Sequence, residues 1–257
     1  MDIFQFTEQF STTDHTIAYM RNRGLLRQIP PNCGRIGCPR RMTQVRNNFL
    51  VFDGCQWRCP IHKGNKVSIR DGSFFTQARF SLRKGMLLAY CWALSIPQHT
   101  QGQMLKLAKQ TLIEWNQFYR DICSRWLLDH PIRLGGVGHT VQIDECLISR
   151  RKYNRGRLIP EQWIFGMYDV NAGVGVVRYV MNRSRATLLP IIEEFVIPGS
   201  MIHSDQWVGT DRELIPSYLD EHNWRQLNGK KTLVAFDNIL NQISEYYIIK
   251  NHRLDDI

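Results

Sequence analysis

Two short Cys and His motifs, separated by twenty residues, place the strongest constraint on how the first third of this chain can fold. Cys33 and Cys38 form C-x4-C, and Cys59 and His62 form C-x2-H. Thiolates and imidazole are ligands that tetrahedral zinc prefers, and two knuckles joined by a β-hairpin need little core because the metal holds them. We therefore predict a zinc ribbon with these four ligands. Cys55 is the alternative for one place, and scattered buried cysteines beside an incidental surface histidine are the other interpretation.

The other cysteines and the overall composition agree with a folded, metal-binding protein. Seven cysteines are an odd number, and the first residues lack a basic cluster followed by an apolar stretch, which indicates reduced thiols rather than a disulfide framework. Apolar residues make up 43% of the chain and charged residues 22%. No apolar run approaches the roughly 18 residues of a membrane span, so we expect no membrane partner.

Positive charge is concentrated in the first half of the chain. Residues 1–140 contain 19 Lys and Arg against 8 Asp and Glu, a net charge of +11, whereas residues 141–257 contain 14 against 15, a net charge of −1. A basic half predicts a polyanionic partner. Because the basic residues are interleaved with Cys, Trp and Gly rather than aligned on one amphipathic helix, nucleic acid is favoured over a membrane surface. A solvated basic surface is the alternative.

Helical periodicity marks the residues on either side of the Cys and His motifs. Residues 3–27 read as a short helical segment. Residues 81–96, 101–107 and 109 onwards predict three helices, the third with Leu112, Trp115, Tyr119 and Ile122 on one face. Such a trio is typical of a helix-turn-helix, in which Lys109 and Gln110 would project outward near the start of the recognition helix. A plain helical linker or dimerisation bundle fits the same pattern.

Strand patterns replace helical ones after Gly135. Residues 141–144, 163–169 and 173–180 predict a three-stranded meander, followed by a helix over 186–195 and a strand over 200–205. This is the opening order of the ribonuclease-H-like fold, in which the fourth strand lies beside the first, on the side away from the hairpin. The whole chain is thus predicted to be α+β or α/β.

Two aspartates, Asp144 and Asp205, end the first and fourth of these predicted strands. If the strands are neighbours, both carboxylates project from the same part of the sheet. Two anions so close repel each other unless a divalent cation lies between them. Two Mg²⁺ (or Mn²⁺) ions about 3.5–4 Å apart serve phosphoryl transfer, so the pair predicts such a site. Each aspartate alone would be read as a strand end or a cap.

A short basic segment lies between these aspartates. Arg150, Arg151, Lys152, Arg155 and Arg157 occupy five of eight consecutive positions with no acid among them. Because Arg binds two phosphate oxygens at once, we expect this segment to grip the DNA backbone near the reacting phosphate. The alternative is a solvated loop.

The sequence resembles the Merlin-type transposases and their bacterial insertion-sequence relatives over nearly its whole length. The stretches that carry the likeness are 53–59, 68–75, 143–145, 150–157, 162–166 and 202–205. The resemblance implies a DNA-binding region with a zinc ribbon and helices, then a catalytic domain that uses two Asp and one Glu. Asp144 and Asp205 match the first two acids. It also implies double-stranded DNA as the partner, a homo-oligomer, and a nuclear location in a eukaryote or a cytoplasmic one otherwise.

The third acid of the family is not found in this sequence. Residues from about 209 resemble the family's tail beyond that acid, which indicates an internal deletion after about residue 207. Glu221, Asp237 and Glu245 are the acids available downstream, and none is assigned the role. We therefore expect an N-terminal region over 1–80, helices over 81–134 and an incomplete catalytic domain over 135–257.

The function expected from these observations is a DNA transposase of the two-metal type that cuts and joins phosphodiester bonds, impaired in this chain. A non-catalytic DNA-binding protein derived from a transposase is the alternative. A zinc hydrolase is disfavoured, because it needs an open coordination position and the predicted zinc site uses all four ligands.

Overall fold

The computed structural model describes residues 2–47, 52–147, 163–204, 215–230 and 232–247. It divides the chain into two compact units. Unit 1 comprises Met1–Glu114 and Thr232–Ile257, and unit 2 comprises Trp115–Lys231. Both contain helices and strands, so the predicted mixed α and β class is confirmed.

The elements are numbered in chain order. The helices are α1 (Ile3–Gln9), α2 (Thr13–Asn22), α3 (Leu82–Ala93), α4 (Gln98–Leu105), α5 (Lys109–Asp129), α6 (Arg185–Phe195), α7 (Ile215–Asn228) and α8 (Thr232–Tyr246). The strands are β1 (Thr43–Arg46), β2 (Cys55–Arg58), β3 (Lys66–Ser68), β4 (Leu134–Gly135), β5 (Thr140–Leu147), β6 (Trp163–Asp169), β7 (Val174–Val180), β8 (Val196–Ile197) and β9 (Met201–Ser204). Among the described helices, none has both the length and the apolar character that crossing a membrane requires.

Aromatic side chains from three helices form the core of unit 1. The Phe6 ring on α1 lies 4.5 Å from Tyr90 on α3 and 5.9 Å from Phe236 on α8, measured between ring centroids. Phe236 is fully buried. Burying these rings against each other explains why α8 belongs to unit 1, whereas the sequence grouped residues 135–257 together.

A three-stranded antiparallel sheet, in the order β1-β2-β3, also belongs to unit 1. The hairpin predicted between the two Cys and His motifs is present as β1 and β2. Arg70 and Asp53 form a buried ion pair in which the Arg70 Nη2 atom lies 2.7 Å from Asp53 Oδ1. Arg70 also donates to the carbonyl oxygens of Ala78 and Phe80 at 2.8 and 2.7 Å, which fixes the segment that leads to α3.

The three helices predicted after residue 80 are present as α3, α4 and α5. Ser81 caps α3 by accepting a hydrogen bond from the Lys84 amide at 3.3 Å. The predicted apolar face of α5 is buried at Leu112, Trp115, Tyr119 and Ile122. The helix passes from unit 1 into unit 2 after Glu114, so residues 81–134 are divided between units rather than forming one.

The main sheet of unit 2 has the strand order β7-β6-β5-β9. Strands β5, β6 and β7 form the predicted antiparallel meander, and β9 pairs in parallel with β5 on the side away from β6. The predicted adjacency of the first and fourth strands is therefore confirmed. A second, two-stranded pairing of β4 with β8 was not predicted, because strands of two residues leave no periodic pattern.

One face of the main sheet is covered by the core of unit 2. Phe165 and Val176 from the sheet pack with Leu188 and Phe195 from α6. The Arg178 guanidinium lies over the Phe195 ring, 4.7 Å from its centroid. The opposite face includes Tyr168 and Tyr179, which are exposed.

Helix α7 occupies the outer edge of this sheet. The Asn223 side chain accepts a hydrogen bond from the Val177 amide at 3.2 Å and donates one to the Val177 carbonyl at 3.3 Å. Gln226 accepts a hydrogen bond from the Gly175 amide at 2.9 Å. These side-chain amides take the place of a neighbouring strand, so they satisfy backbone groups of β7 that an edge strand would otherwise expose.

Asp169, at the end of β6, connects several loops of unit 2. Its carboxylate accepts hydrogen bonds from the Gly135 amide at 2.8 Å and from His139 Nδ1 at 2.9 Å. It also accepts hydrogen bonds from the Asn171 and Ala172 amides, each at 2.9 Å. Burial by itself raises the pKa of Asp169, but these hydrogen bonds outweigh it and lower the pKa to about 2.

The low pKa of Asp169 predicts that acid destabilises unit 2. Its pKa is about 2 in the folded protein against an ordinary value of 3.8, so the unfolded chain binds more protons at acidic pH. The stabilisation is complete well above the ordinary value and is lost as pH falls towards about 2. We expect Asp169→Asn to lower the free energy of unfolding at neutral pH and to remove this part of its pH dependence. Urea unfolding from pH 2 to pH 7 measures both.

Asp129→Asn, at an exposed carboxylate at the end of α5, is the matched control and should keep the wild-type pH profile. An unchanged profile in Asp169→Asn would show that other carboxylates cause the acid sensitivity.

Candidate functional site

The predicted zinc ligands meet at one point in unit 1. The ligand atoms of Cys33, Cys38, Cys59 and His62 all lie within 4.8 Å of one another. The Cys33 Sγ and Cys59 Sγ atoms lie 3.4 and 3.8 Å from His62 Nδ1, and Cys38 Sγ lies 4.0 Å from Cys59 Sγ. This cluster could hold a metal ion such as zinc.

Three of the six separations within the cluster are close to those of a tetrahedral site. Zinc bonds of about 2.3 Å to sulfur and 2.0 Å to nitrogen, at tetrahedral angles, place neighbouring ligand atoms about 3.5–3.8 Å apart. The three observed separations, 3.4, 3.8 and 4.0 Å, lie close to that range. Three thiols and one imidazole also form a donor set that zinc prefers over the hard cations Mg²⁺ and Ca²⁺.

Backbone hydrogen bonds shape the two loops that carry the ligands. The Cys33 amide donates to the Arg40 carbonyl at 3.0 Å, which closes the first loop around Cys38. Within this loop Gly34 and Gly37 have φ values of 71° and 77°, in the left-handed region that glycine adopts without steric cost.

Asn65 supports the cluster from the second loop. The side-chain amide of Asn65 donates to Cys33 Sγ at 3.1 Å. The backbone carbonyl of Asn65 accepts a hydrogen bond from the Cys59 backbone amide at 3.1 Å. Burial raises the pKa of the Cys33 thiol, but hydrogen bonds from the Arg35 amide, Asn65 and His62 outweigh it and lower the pKa to about 6. The thiolate is the form that binds metal.

Cys55, the alternative ligand, lies outside this cluster. It is buried on β2, and burial raises the pKa of its thiol. The choice of Cys59 over Cys55 is therefore confirmed by position. All seven cysteines are free thiols.

Asp144 occupies the middle of β5, where it pairs with Gly166 of β6. Its Oδ1 atom is buried and accepts no hydrogen bond within the part of the chain that the structure describes. Gly166 adds no side chain beside it. The last described pair between β5 and β9 joins Ile143 to Ser204, the residues that immediately precede Asp144 and Asp205 in sequence.

Several predicted site residues lie outside the described residues. They are Asp205, Arg150, Arg151, Lys152, Arg155 and Arg157. Lys109 and Gln110 are described: both are exposed in the first turn of α5, as predicted.

Two of the three downstream acids singled out from the sequence form ion pairs. Glu221 pairs with Arg225 on α7 at 2.9 Å. Asp237 pairs with Arg23 at 2.6 Å, and Glu245 is exposed on the same helix, α8, which belongs to unit 1. None of the three is assigned the role of the third acid.

No family model, curated protein or solved structure matches this chain. The relationship to transposases therefore stays a prediction from the sequence.

The residues that sequence reasoning missed are the partners of the site. Asn65 could have been suspected from the sequence, because Asn is common in turns, where its side chain can hydrogen-bond to nearby backbone groups. Gly166 opposite Asp144 had no signal of its own, because only the β5–β6 register reveals their pairing.

The Cys and His cluster predicts that the protein binds one zinc ion per chain. We expect Cys59→Ser to lose the bound zinc, because a neutral hydroxyl is a poor substitute for a thiolate ligand. With free zinc at about 1,000 times the dissociation constant, the loss removes about 4 kcal/mol of stability. Metal content by mass spectrometry and thermal unfolding with and without a chelator measure the effect.

Cys55→Ser is the matched control, since it changes a buried thiol of the same module and should keep one zinc ion per chain. Equal zinc content in the two variants would contradict the assignment of the ligands.

Proposed function

We propose that the chain is a DNA-binding protein of transposase descent whose unit 2 carries a divalent-cation site for phosphoryl transfer, centred on Asp144. The observation that carries this proposal is the parallel pairing of β5 with β9. That pairing brings the residues before Asp144 and Asp205 side by side. The strand order and the helix between β7 and β9 support a ribonuclease-H-like arrangement.

The environment of Asp144 fits a cation. A buried carboxylate oxygen with no donor nearby loses its hydration without compensation, which costs free energy unless a cation binds it. The Asp144 Oδ1 atom is in that condition among the described residues, and Gly166 leaves the neighbouring position without a side chain. Asp144 and Asp205 would hold Mg²⁺ or Mn²⁺. When bound, such ions activate the attacking oxygen and stabilise the leaving one.

Asp144 has a defined part in this site. Its carboxylate is an oxygen-only ligand fixed on a central strand between β6 and β9, so it is held more rigidly than a carboxylate on a loop. The basic segment that includes Arg150, Arg155 and Arg157 would bind the phosphates of the DNA backbone. With the third acid absent, we expect the rate to be far below that of a complete three-acid site.

Asp144→Asn tests the catalytic part of the proposal. We expect the full chain to nick supercoiled DNA with Mn²⁺ or Mg²⁺, and the variant to lose about 10³-fold or more of that activity. In calorimetric titration with Mn²⁺, Asp144→Asn should lack the binding event that the wild type shows. DNA affinity in the absence of metal should stay unchanged.

Glu145→Gln is the matched control, because successive side chains of a strand point to opposite faces of the sheet. Nicking or Mn²⁺ binding that persists in Asp144→Asn would contradict the proposed site.

A second candidate function is DNA binding without catalysis. It is favoured because two of the parts proposed for DNA binding lie among the described residues, and because no residue of the sequence is assigned as the third acid. The four ligands of the Cys and His cluster converge, and Lys109 and Gln110 are exposed at the start of α5. DNA that is bound but never cut would establish this function instead.

Lys109→Ala tests DNA binding in either case. We expect the variant to bind all duplex sequences more weakly and to lower the slope of log affinity against log salt by about 1, because one phosphate contact is lost. Fluorescence anisotropy between 50 and 200 mM salt measures the slope. Lys230→Ala, at an exposed lysine after α7, should keep the wild-type slope. Equal slopes in the wild type, Lys109→Ala and Lys230→Ala would show that Lys109 on α5 does not contact DNA.

A further inference from the structure

A cavity of about 280 Å³ lies in unit 1 beside the three-stranded sheet. Strands β2 and β3 form one wall, and Phe52, Asp53 and the segment after β3 form the others. None of the four proposed zinc ligands lines it. We refer to it as the β2–β3 cavity.

The β2–β3 cavity contains a polar side chain that has no partner. Gln56, on β2, is only 8% exposed and lines the cavity, yet its amide forms no hydrogen bond with any residue that the structure describes. Its amide atoms are not among the fully buried polar atoms that lack a partner, so water reaches them within the cavity. Gln56 therefore offers one donor group and one acceptor to whatever enters the cavity.

The charge of the cavity comes from Lys66. Arg70 also lines the cavity, but its guanidinium is used by Asp53 and by the carbonyls of Ala78 and Phe80. Asp53 in turn is neutralised by Arg70. Lys66 on β3 is exposed and forms no ion pair within the described ranges, so the cavity attracts an anionic group.

Phe52 supplies an aromatic wall. Its side chain is 42% exposed and lines the same cavity, and the Arg70 guanidinium lies over its ring, 5.6 Å from the centroid. The part of the ring that Arg70 does not cover, next to an amide and a cation, suits three contacts of a nucleotide: stacking of the base, hydrogen bonds to the base edge and neutralisation of the phosphate. The volume lies near the lower end of ligand pockets, about 300 Å³, which suits one nucleotide rather than a dinucleotide.

We propose that the β2–β3 cavity binds a single adenine nucleotide, with the base edge on Gln56, the ring against Phe52 and the phosphate near Lys66. The amide of glutamine pairs with adenine through one donor and one acceptor, a pattern that inorganic phosphate cannot satisfy. The nucleotide would be either free or an unpaired residue of a DNA strand. This site is additional to the proposed function and requires no divalent cation.

Calorimetric titration of the full zinc-loaded chain, without Mg²⁺ or Mn²⁺, tests the site with AMP, CMP and inorganic phosphate. We expect AMP to bind at least about 10-fold more tightly than phosphate, and Gln56→Leu to lose about 10-fold or more of that affinity, as expected for a hydrogen-bonded pair to a base. Lys66→Ala should weaken AMP and phosphate alike.

Two matched variants control for general effects. Gln103→Leu removes an exposed glutamine of α4, and Lys63→Ala removes an exposed lysine of the same module; neither lines the cavity, so both should bind AMP like the wild type. Unchanged zinc content and circular dichroism in Gln56→Leu show that it folds.

Duplexes that differ only in one unpaired adenine distinguish the two sources of the nucleotide. Binding of AMP identifies a free nucleotide, and a preference for the unpaired adenine that is lost in Gln56→Leu identifies a DNA strand; either result supports the proposal. Phosphate binding as tightly as AMP, or no binding by AMP and no preference for the unpaired adenine, overturns it. Because no cleavage is measured, this outcome is independent of the test on Asp144.

Discussion

Parallel pairing between β5 and β9 is the constraint on which unit 2 depends. Parallel neighbours need a long crossover, and here two antiparallel strands and α6 lie between them in sequence. Adding β9 turns β5 from an edge strand into a central one. The residue before Asp144, Ile143, is thereby paired with Ser204, about sixty positions away in sequence, and the proposed cation site depends on that pairing.

Unit 1 combines its aromatic helical core with two local clusters of polar and thiol side chains. Its three strands have only three or four residues each. The Cys and His cluster ties together the loops on either side of the hairpin, and the Arg70–Asp53 pair fixes the segment that leads to α3. Removing one member of that buried pair would leave an uncompensated charge, which costs more than the pair itself contributes.

Patterns local in the sequence predicted much of this architecture. The Cys and His cluster, the meander and the outward placement of Lys109 follow from spacing and periodicity, and the position of the fourth strand follows from the strand order of the ribonuclease-H-like fold. The sequence could not predict that α8 joins unit 1, because an amphipathic helix shows which face is buried but not what buries it. Asp169 was missed because its role depends on donors from several loops, and Asn65 was missed because its side chain donates to Cys33, which is 32 residues away in sequence. Gln56 was missed because β-alternation does not reveal an unpaired amide.

The side-chain amides of Asn223 and Gln226 have a consequence for assembly. By bonding to the Gly175 amide and to the Val177 amide and carbonyl, they withhold these groups from an incoming chain. Growth of a continuous β-sheet is therefore disfavoured at this part of β7. Because polar side chains meet these groups, this part of the strand would also remain compatible with water if α7 moved away.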